Sequence, residues 1–318
     1  MRAVFLDFAT VSTGADLNAA SLHAVLPALQ IHARTPDSLI GQRIDGAAVV
    51  LLNKVEMTRA RIAASPALRL IALTATGTNN IDLDAAREHG VAVCNIRDYC
   101  TASVVQHVFA TLLALTHHVR EYDRALKAGA WERENQFTML HYPVRELAGR
   151  TLGIVGYGAL GQGVARVAEA FGMRVRIANR IGAPPTSGRV ELEALLAEVD
   201  VLSLHCPITP ATHHLIDARA LARMKPDAVL INTARGALVD PAALAAALRM
   251  GQLGGAAIDV LDGEPPRAGH PLLAPDLGRL IVTPHMAWAA REARQRALEE
   301  VAANVADFIA GGRRGRVV

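Results

Sequence analysis

Cysteine, long apolar runs and a strong charge of one sign are all scarce in this chain of 318 residues. Its three cysteines, Cys94, Cys100 and Cys206, make an odd count without metal-ligand spacing, which argues against a disulfide framework and for a reduced, cytoplasmic setting. The longest apolar stretch, Ser103 to Val119, carries Gln106, His107, His117 and His118, and is too short and too polar to span a bilayer. The opening Met1-Arg-Ala-Val-Phe-Leu-Asp-Phe8 has a strand's apolar character and not the plan of a signal peptide. No membrane partner is expected. The net charge of +3 is mild, and the one basic cluster, Arg313-Arg314-Gly-Arg316, reads as a solvated tail, so no nucleic-acid partner is expected either. Repeats and low-complexity segments are lacking. His213-His214 has no evident third ligand, and adjacent residues seldom face one ion, so no metal is expected.

What the chain does have is 51% hydrophobic residues, enough to fill the cores of two soluble domains. It also has the run Thr151-Leu-Gly-Ile-Val-Gly-Tyr-Gly-Ala-Leu-Gly161. This run reads as a strand over 151–155, a glycine turn, and a helix opening near Ala159. Gly156 permits the turn, Gly158 admits a pyrophosphate to the backbone, and Gly161 lets helix and strand pack closely. The helix N-terminus offers free N–H groups to phosphate.

Short apolar strands alternate with helical patterns on both sides of this run, which predicts parallel α/β sheets. Strands are expected at 2–7, 46–52, 69–73 and 91–95, and one long helix over 102–128. The segment 129–149 reads as irregular. Strands then recur at 151–155, 174–178, 199–204, 228–232, 256–260 and 280–283, with a last helix over 288–310 ending at Gly311-Gly312. Asp240-Pro241 marks a helix start, Asp as the cap and Pro in the first turn. The six later strands make a nearly complete dinucleotide-binding sheet, leaving one helix over. The fold expected is α/β with two Rossmann-like, doubly wound parallel-sheet domains, the nucleotide-binding domain (102–286) inserted into a substrate domain (1–101 and 287–318). A ligand is then expected in the intervening cleft.

Three strand ends carry chemistry: Leu230-Ile-Asn-Thr-Ala-Arg-Gly236, Ala257-Ile-Asp-Val-Leu-Asp-Gly-Glu264, and Ile281-Val-Thr-Pro-His285. Parallel strands leave their carboxyl ends on one edge, so Arg235, Glu264 and His285 can converge beside the nucleotide. With Ala75-Thr-Gly-Thr-Asn-Asn80, Leu204-His-Cys-Pro207 and the glycine run, these six ordered motifs resemble the D-isomer-specific 2-hydroxyacid dehydrogenases, especially the glycerate dehydrogenase and hydroxypyruvate-glyoxylate reductase branch.

The resemblance implies an oxidoreductase passing a hydride between a nicotinamide cofactor and a small D-2-hydroxy or 2-oxo acid, such as hydroxypyruvate or glyoxylate. It implies His285 as general acid and base, Glu264 as its hydrogen-bond partner, and Arg235 as the fork that holds the substrate carboxylate. Thr76 and Gly77 match the loop whose backbone meets that carboxylate, and Lys54 adds a positive charge there. Cofactor contacts fall on Gly156, Tyr157, Gly158, Ala159, Leu160 and Gly161, on Asn179 and Arg180, on His205, Cys206 and Pro207, on Thr233 and Ala234, and on Asp259 and His285. The helix over 102–128 and the Trp131 segment resemble the family's dimer interface, so a homodimer is implied.

One departure bears on the cofactor. An NAD site carries an acidic residue about 20 positions past the glycines, bonding the ribose hydroxyls. Here Asn179, 18 residues past Gly161, takes that place, with Arg180 beside it. A neutral amide removes the repulsion of a 2′-phosphate and the guanidinium supplies a counter-charge, so NADP(H) is the favoured cofactor and NAD(H) the alternative. Two other readings share the architecture. One is a dehydrogenase of another D-2-hydroxy acid, D-lactate or phosphoglycerate, although no long regulatory extension follows residue 318. The other is a nucleotide-sensing, corepressor-like binding protein, against which the chain shows no disordered flank.

Overall fold

The computed structural model describes residues 1–134 and 136–318. It contains two compact units: Met1–Cys100 together with Trp288–Val318, and Thr101–Ala287. Both are parallel α/β units, as the alternating pattern predicts.

The first unit holds β1 (Ala3–Phe5), β2 (Leu29–Ile31), β3 (Val49–Leu52), β4 (Leu70–Leu73) and β5 (Ala92–Cys94), paired in the order β2-β1-β3-β4-β5, all parallel. These strands are apolar at nearly every position because both faces are covered. Alternation sends Phe5, Val49, Leu51 and Leu70 to one face, where they pack on Leu298, Val301 and Val305 of the last helix, Arg291–Ile309. Val4, Val50, Leu52 and Ile71 fill the other face with Ile44, Met57 and Ile62. The three-residue edge strand β2 has no counterpart in the sequence reading, being too short to show a period of two.

The second unit holds β6 (Thr151–Val155), β7 (Arg174–Ile177), β8 (Val201–Leu204), β9 (Val229–Asn232), β10 (Gly255–Ile258) and β11 (Leu280–Val282). Their order is β11-β10-β9-β8-β6-β7, again fully parallel. The order reverses between β6 and β8, the switch point at which doubly wound sheets bind ligands. Asp240 caps the helix Pro241–Arg249 as expected, its Oδ1 accepting from the N–H groups of Ala242 (2.9 Å) and Ala243 (3.1 Å).

The long helix expected over 102–128 is instead two, Thr101–Thr116 and Val119–Lys127. The break falls at His118, whose φ of +49° is left-handed, with its ring stacked on Tyr142. The first helix buries Val104, Val108, Phe109 and Leu112, whereas the second buries none of its residues. A helical period through the junction could not reveal that change of environment. Within the segment read as irregular, Ala130–Glu134 forms a short helix. Among the described residues, no helix is long and apolar enough to cross a membrane.

Candidate active site

The glycine turn joins β6 to the helix Ala159–Ala170. Gly156 has φ +96°, and a Cβ there would lie 2.5 Å from the backbone nitrogen of Cys206. A Cβ on Gly161 would lie 2.2 Å from the carbonyl oxygen of Gly156. A Cβ on Gly158, in contrast, would meet no atom within 4 Å, leaving open space over the turn where a phosphate group fits. The turn at Gly156, the close packing at Gly161 and the open space at Gly158 are the geometry that the fingerprint requires. Among the described residues, His205 Nδ1, beside the backbone that Gly156 abuts, and Thr233 Oγ1, just past β9, are buried without a hydrogen-bond partner. These orphaned groups, the open backbone and the helix N-terminus fit a dinucleotide.

Burial pushes the His205 imidazole down to about 4, and its Nε2 lies 2.8 Å from Ser203 Oγ, so the ring is neutral. Burial also pushes the Cys206 thiol up to about 11, which makes it a poor nucleophile. It is their backbone that Gly156 abuts.

Asn179, at the end of β7, is buried with both ends of its amide engaged. Its Nδ2 donates to Glu191 Oε1 (2.6 Å) and its Oδ1 accepts from Thr186 N–H (2.9 Å). Its backbone N–H bonds the carbonyl of Val190 at 2.7 Å. Asn179 therefore shapes the loop that leaves β7 and carries Arg180. That loop returns with Arg189, whose guanidinium carbon lies 6.0 Å from the Tyr157 ring centroid, over the glycine turn. Among the described residues neither Arg180 nor Arg189 is paired with a carboxylate, leaving two uncompensated cations at this edge.

β9, β10 and β11 are neighbours, and their ends carry Arg235, Glu264 and His285. Buried Asn232 ties the first of these turns: its Nδ2 donates to the Arg235 carbonyl (2.9 Å), and its Oδ1 accepts from Ala234 N–H (3.0 Å). The half-buried Arg235 guanidinium donates Nη1 to the Ala234 carbonyl (2.7 Å) and has no carboxylate partner among the described residues. It is a planar cation suited to an external anion. His285 Nδ1 lies 2.5 Å from Glu264 Oε2, while Glu264 Oε1 accepts from Leu261 N–H at 2.9 Å. In the tautomer that donates Nδ1–H to the carboxylate, Nε2 is the basic nitrogen of the ring.

His285 has a left-handed φ of +54°, which costs a non-glycine residue on the order of 1–3 kcal/mol. Asp259, 2% exposed, holds that turn: Oδ1 accepts from Thr283 Oγ1 (2.6 Å) and Met286 N–H (2.8 Å), and Oδ2 from Ala287 N–H (2.8 Å). Asp259, expected from the resemblance among the cofactor contacts, is in this chain the clamp of the imidazole's backbone.

In the first unit, Lys54 follows β3, and Thr76 and Gly77 follow β4. The Thr76 hydroxyl donates to the Ile96 carbonyl (2.8 Å), so only its backbone is left to a ligand. Buried Asp7, at the end of β1, accepts from the N–H groups of Asn53 (2.9 Å), Lys54 (2.6 Å) and Val55 (3.0 Å), setting the Lys54 loop. Sequence reasoning missed Asp7, although a lone acid ending an apolar strand was its signal. His213 and His214 stack with centroids 4.1 Å apart, and among the described residues no three His, Cys, Asp or Glu side chains gather as a metal site requires.

Residues 109–287 match the family model of the D-isomer specific 2-hydroxyacid dehydrogenase NAD binding domain. The chain is 44% identical over 277 residues to a glycerate dehydrogenase of Methylorubrum extorquens, covering 87% of each. It is 36% identical to a hydroxypyruvate reductase of Blautia hydrogenotrophica, covering 85% of this chain and 84% of that one. A crystal structure of a Thermus thermophilus protein superposes along the whole of both chains with a TM-score of 0.83 at 35% identity. With the nucleotide turn and the strand-end arginine, glutamate and histidine in place, the chain belongs to the D-isomer specific 2-hydroxyacid dehydrogenases, oxidoreductases that work with a nicotinamide cofactor.

Proposed function

We propose that this enzyme reduces hydroxypyruvate or glyoxylate to D-glycerate or glycolate, with NADPH as the favoured reductant. The observation that carries the reading is the Glu264–His285 pair, from the ends of β10 and β11, in the same sheet as β9, whose end presents an Arg235 without a carboxylate partner among the described residues. The substrates named are those of similar enzymes: a glycerate dehydrogenase at 44% identity, a hydroxypyruvate reductase at 36% and a glyoxylate reductase at 41%.

When bound, a nicotinamide cofactor would supply the hydride for C2 of the oxo acid. Arg235 grips the substrate carboxylate with two parallel N–H donors and draws charge onto the carbonyl oxygen. His285, its Nδ1–H committed to Glu264, delivers the proton from Nε2 to that oxygen, and takes it back in the reverse direction. Asp259 keeps the imidazole aimed. In the first unit, the backbone of Thr76 and Gly77, together with Lys54, is assigned to the substrate carboxylate.

The preference for NADPH is supported by the absence of a carboxylate at position 179 and by Arg180 and Arg189, which have no carboxylate partner among the described residues. Each charge-assisted hydrogen bond to a 2′-phosphate is worth about 1.5–3 kcal/mol, so NADPH should exceed NADH by about tenfold or more in kcat/KM. Following cofactor absorbance with hydroxypyruvate and glyoxylate checks both parts. Turnover of neither acid overturns the activity, and a preference for NADH overturns the cofactor. Arg180→Ala is the cleaner companion variant, because Asn179→Asp would set a carboxylate against Glu191 where an amide now donates.

A homodimer is supported by exposed apolar side chains between residues 119 and 144: Trp131 is 47% exposed, Phe137 97% and Leu140 82%. Tyr122 ties this segment together by donating to the carbonyls of Met139 (3.1 Å) and Tyr142 (3.0 Å). Sedimentation should give a dimer, and Phe137→Ser with Leu140→Asp a monomer; a monomeric wild type would refute it. Three cysteines outside any disulfide support a reducing, cytoplasmic location.

A further inference from the structure

We propose that Asp262 and His270 are positioning residues for this site, their hydrogen bond fixing the Leu261–Asp262 peptide on which both Arg235 and Glu264 depend. The proposal rests on the roles assigned above to Arg235, Glu264 and His285.

The peptide is loaded from three directions. On one side it meets the turn that carries Arg235: a Cβ on Gly236 would lie 1.9 Å from the Leu261 carbonyl carbon and 2.3 Å from Asp262 N, so the two backbones touch with only hydrogen between them. On another side, Leu261 N–H donates to Glu264 Oε1 at 2.9 Å, setting the carboxylate whose other oxygen meets His285. The third load is the Asp262 side chain, whose Oδ1 lies 2.8 Å from His270 Nε2.

His270 is built to hold still. Its side chain is 8% exposed, and its Nδ1 accepts from Leu272 N–H at 3.2 Å, capping the short turn Pro271–Leu273. An Nδ1 that accepts leaves the proton on Nε2, so the bond to Asp262 runs from Nε2–H to Oδ1 in the neutral tautomer. Leu272 is packed in the same core cluster as Leu230, Ala256 and Ile258 of β9 and β10. The line therefore runs from the sheet's own core through Leu272 and His270 to Asp262, and returns to the ends of the strands that bear the chemistry. His270 keeps the Asp262 carboxyl below its ordinary value, and His214 adds a smaller effect of the same sign. Asp262 thus stays a charged acceptor through the neutral range.

Catalysis amplifies small displacements: a shift of about 1 Å costs on the order of 10²-fold in rate. Freed at Asp262, the peptide can slide away from Gly236 and carry Glu264 with it, spoiling the proton donor and the carboxylate grip together. A merely structural cap would lower melting temperature and leave kinetics alone.

The two jobs of His270 can be separated, because Asn places its amide oxygen where Nδ1 sits and Gln places its amide nitrogen where Nε2 sits. His270→Asn keeps the cap and loses the bridge, and should lower kcat about tenfold to a hundredfold while raising KM for the oxo acid and not for the cofactor. His270→Gln keeps the bridge and loses the cap, and should retain kcat within about threefold despite a lower melting temperature. Asp262→Ala should match His270→Asn, Asp262→Asn should retain activity, and the double variant His270→Asn with Asp262→Ala should be no worse than either single change. Wild-type kcat and KM in His270→Asn, or equal damage in His270→Gln, overturns the positioning role. Glu264→Gln serves as the separate control: if it too leaves reduction intact, the underlying site reading has failed, whereas its loss alongside an unaffected His270→Asn refutes only the present inference.

Discussion

His285→Ala is expected to lower kcat for oxo-acid reduction by about 10²–10⁴-fold, the range that a positioned general acid contributes. The magnitude depends on the imidazole being placed before substrate arrives. Here its Nδ1 is bonded to Glu264 at 2.5 Å, and its backbone is clamped by Asp259 through Met286 and Ala287. Because Asp259 grips neighbouring N–H groups and Thr283, alanine at 285 leaves that clamp intact. The fold should therefore survive, and melting temperature should move little while kcat collapses. Cofactor binding measured by fluorescence titration should change at most a few-fold. A His285→Ala enzyme with kcat within a few-fold of wild type would remove the acid assignment and send the search to another proton donor.

The second large effect falls on Arg235. Arg235→Ala should lower kcat by about 10²–10³-fold, as loss of a preorganised donor to developing negative charge does elsewhere. It should also raise KM for the oxo acid, since the same guanidinium holds the carboxylate in the ground state. The observation behind this double effect is a half-buried guanidinium without a carboxylate partner among the described residues, fed by a turn that Asn232 ties down. Arg235→Lys should recover little, because a point charge cannot reproduce a planar, two-pronged grip. Steady-state kinetics with varied oxo acid at saturating cofactor separates the two parameters. An unchanged KM would mean that the carboxylate is bound elsewhere; an unchanged kcat would mean that Arg235 only binds.

Much of this site is legible in the residues alone. Gly156, Gly158 and Gly161 take separate tasks from their spacing, because each task depends on the absence of a side chain at one backbone position. The strands are legible because parallel sheets buried on both faces demand apolar residues at almost every position. Less legible are features set by neighbours remote in sequence. The break at His118 depends on Tyr142, and the short strand β2 depends on the partner it pairs with. By its spacing, Asn179 reads as facing the ribose. The structure turns both ends of its amide to Thr186 and Glu191.

By itself, then, the sequence determined the parallel α/β class, the nucleotide turn, and the appearance of an arginine, a glutamate and a histidine each at a strand end. These follow from local rules: hydrophobic alternation, glycine stereochemistry, and the fact that parallel strands finish on one edge. Only the tertiary structure decided which partners these groups meet. It committed Asp259 to backbone donors, left Arg235 without a carboxylate partner among the described residues, and set the Leu261–Asp262 peptide between Gly236 and Glu264 under the hold of His270. Hydrogen-bond partnership is a matter of distances across the sheet edge, and those distances arise only once the strands pair.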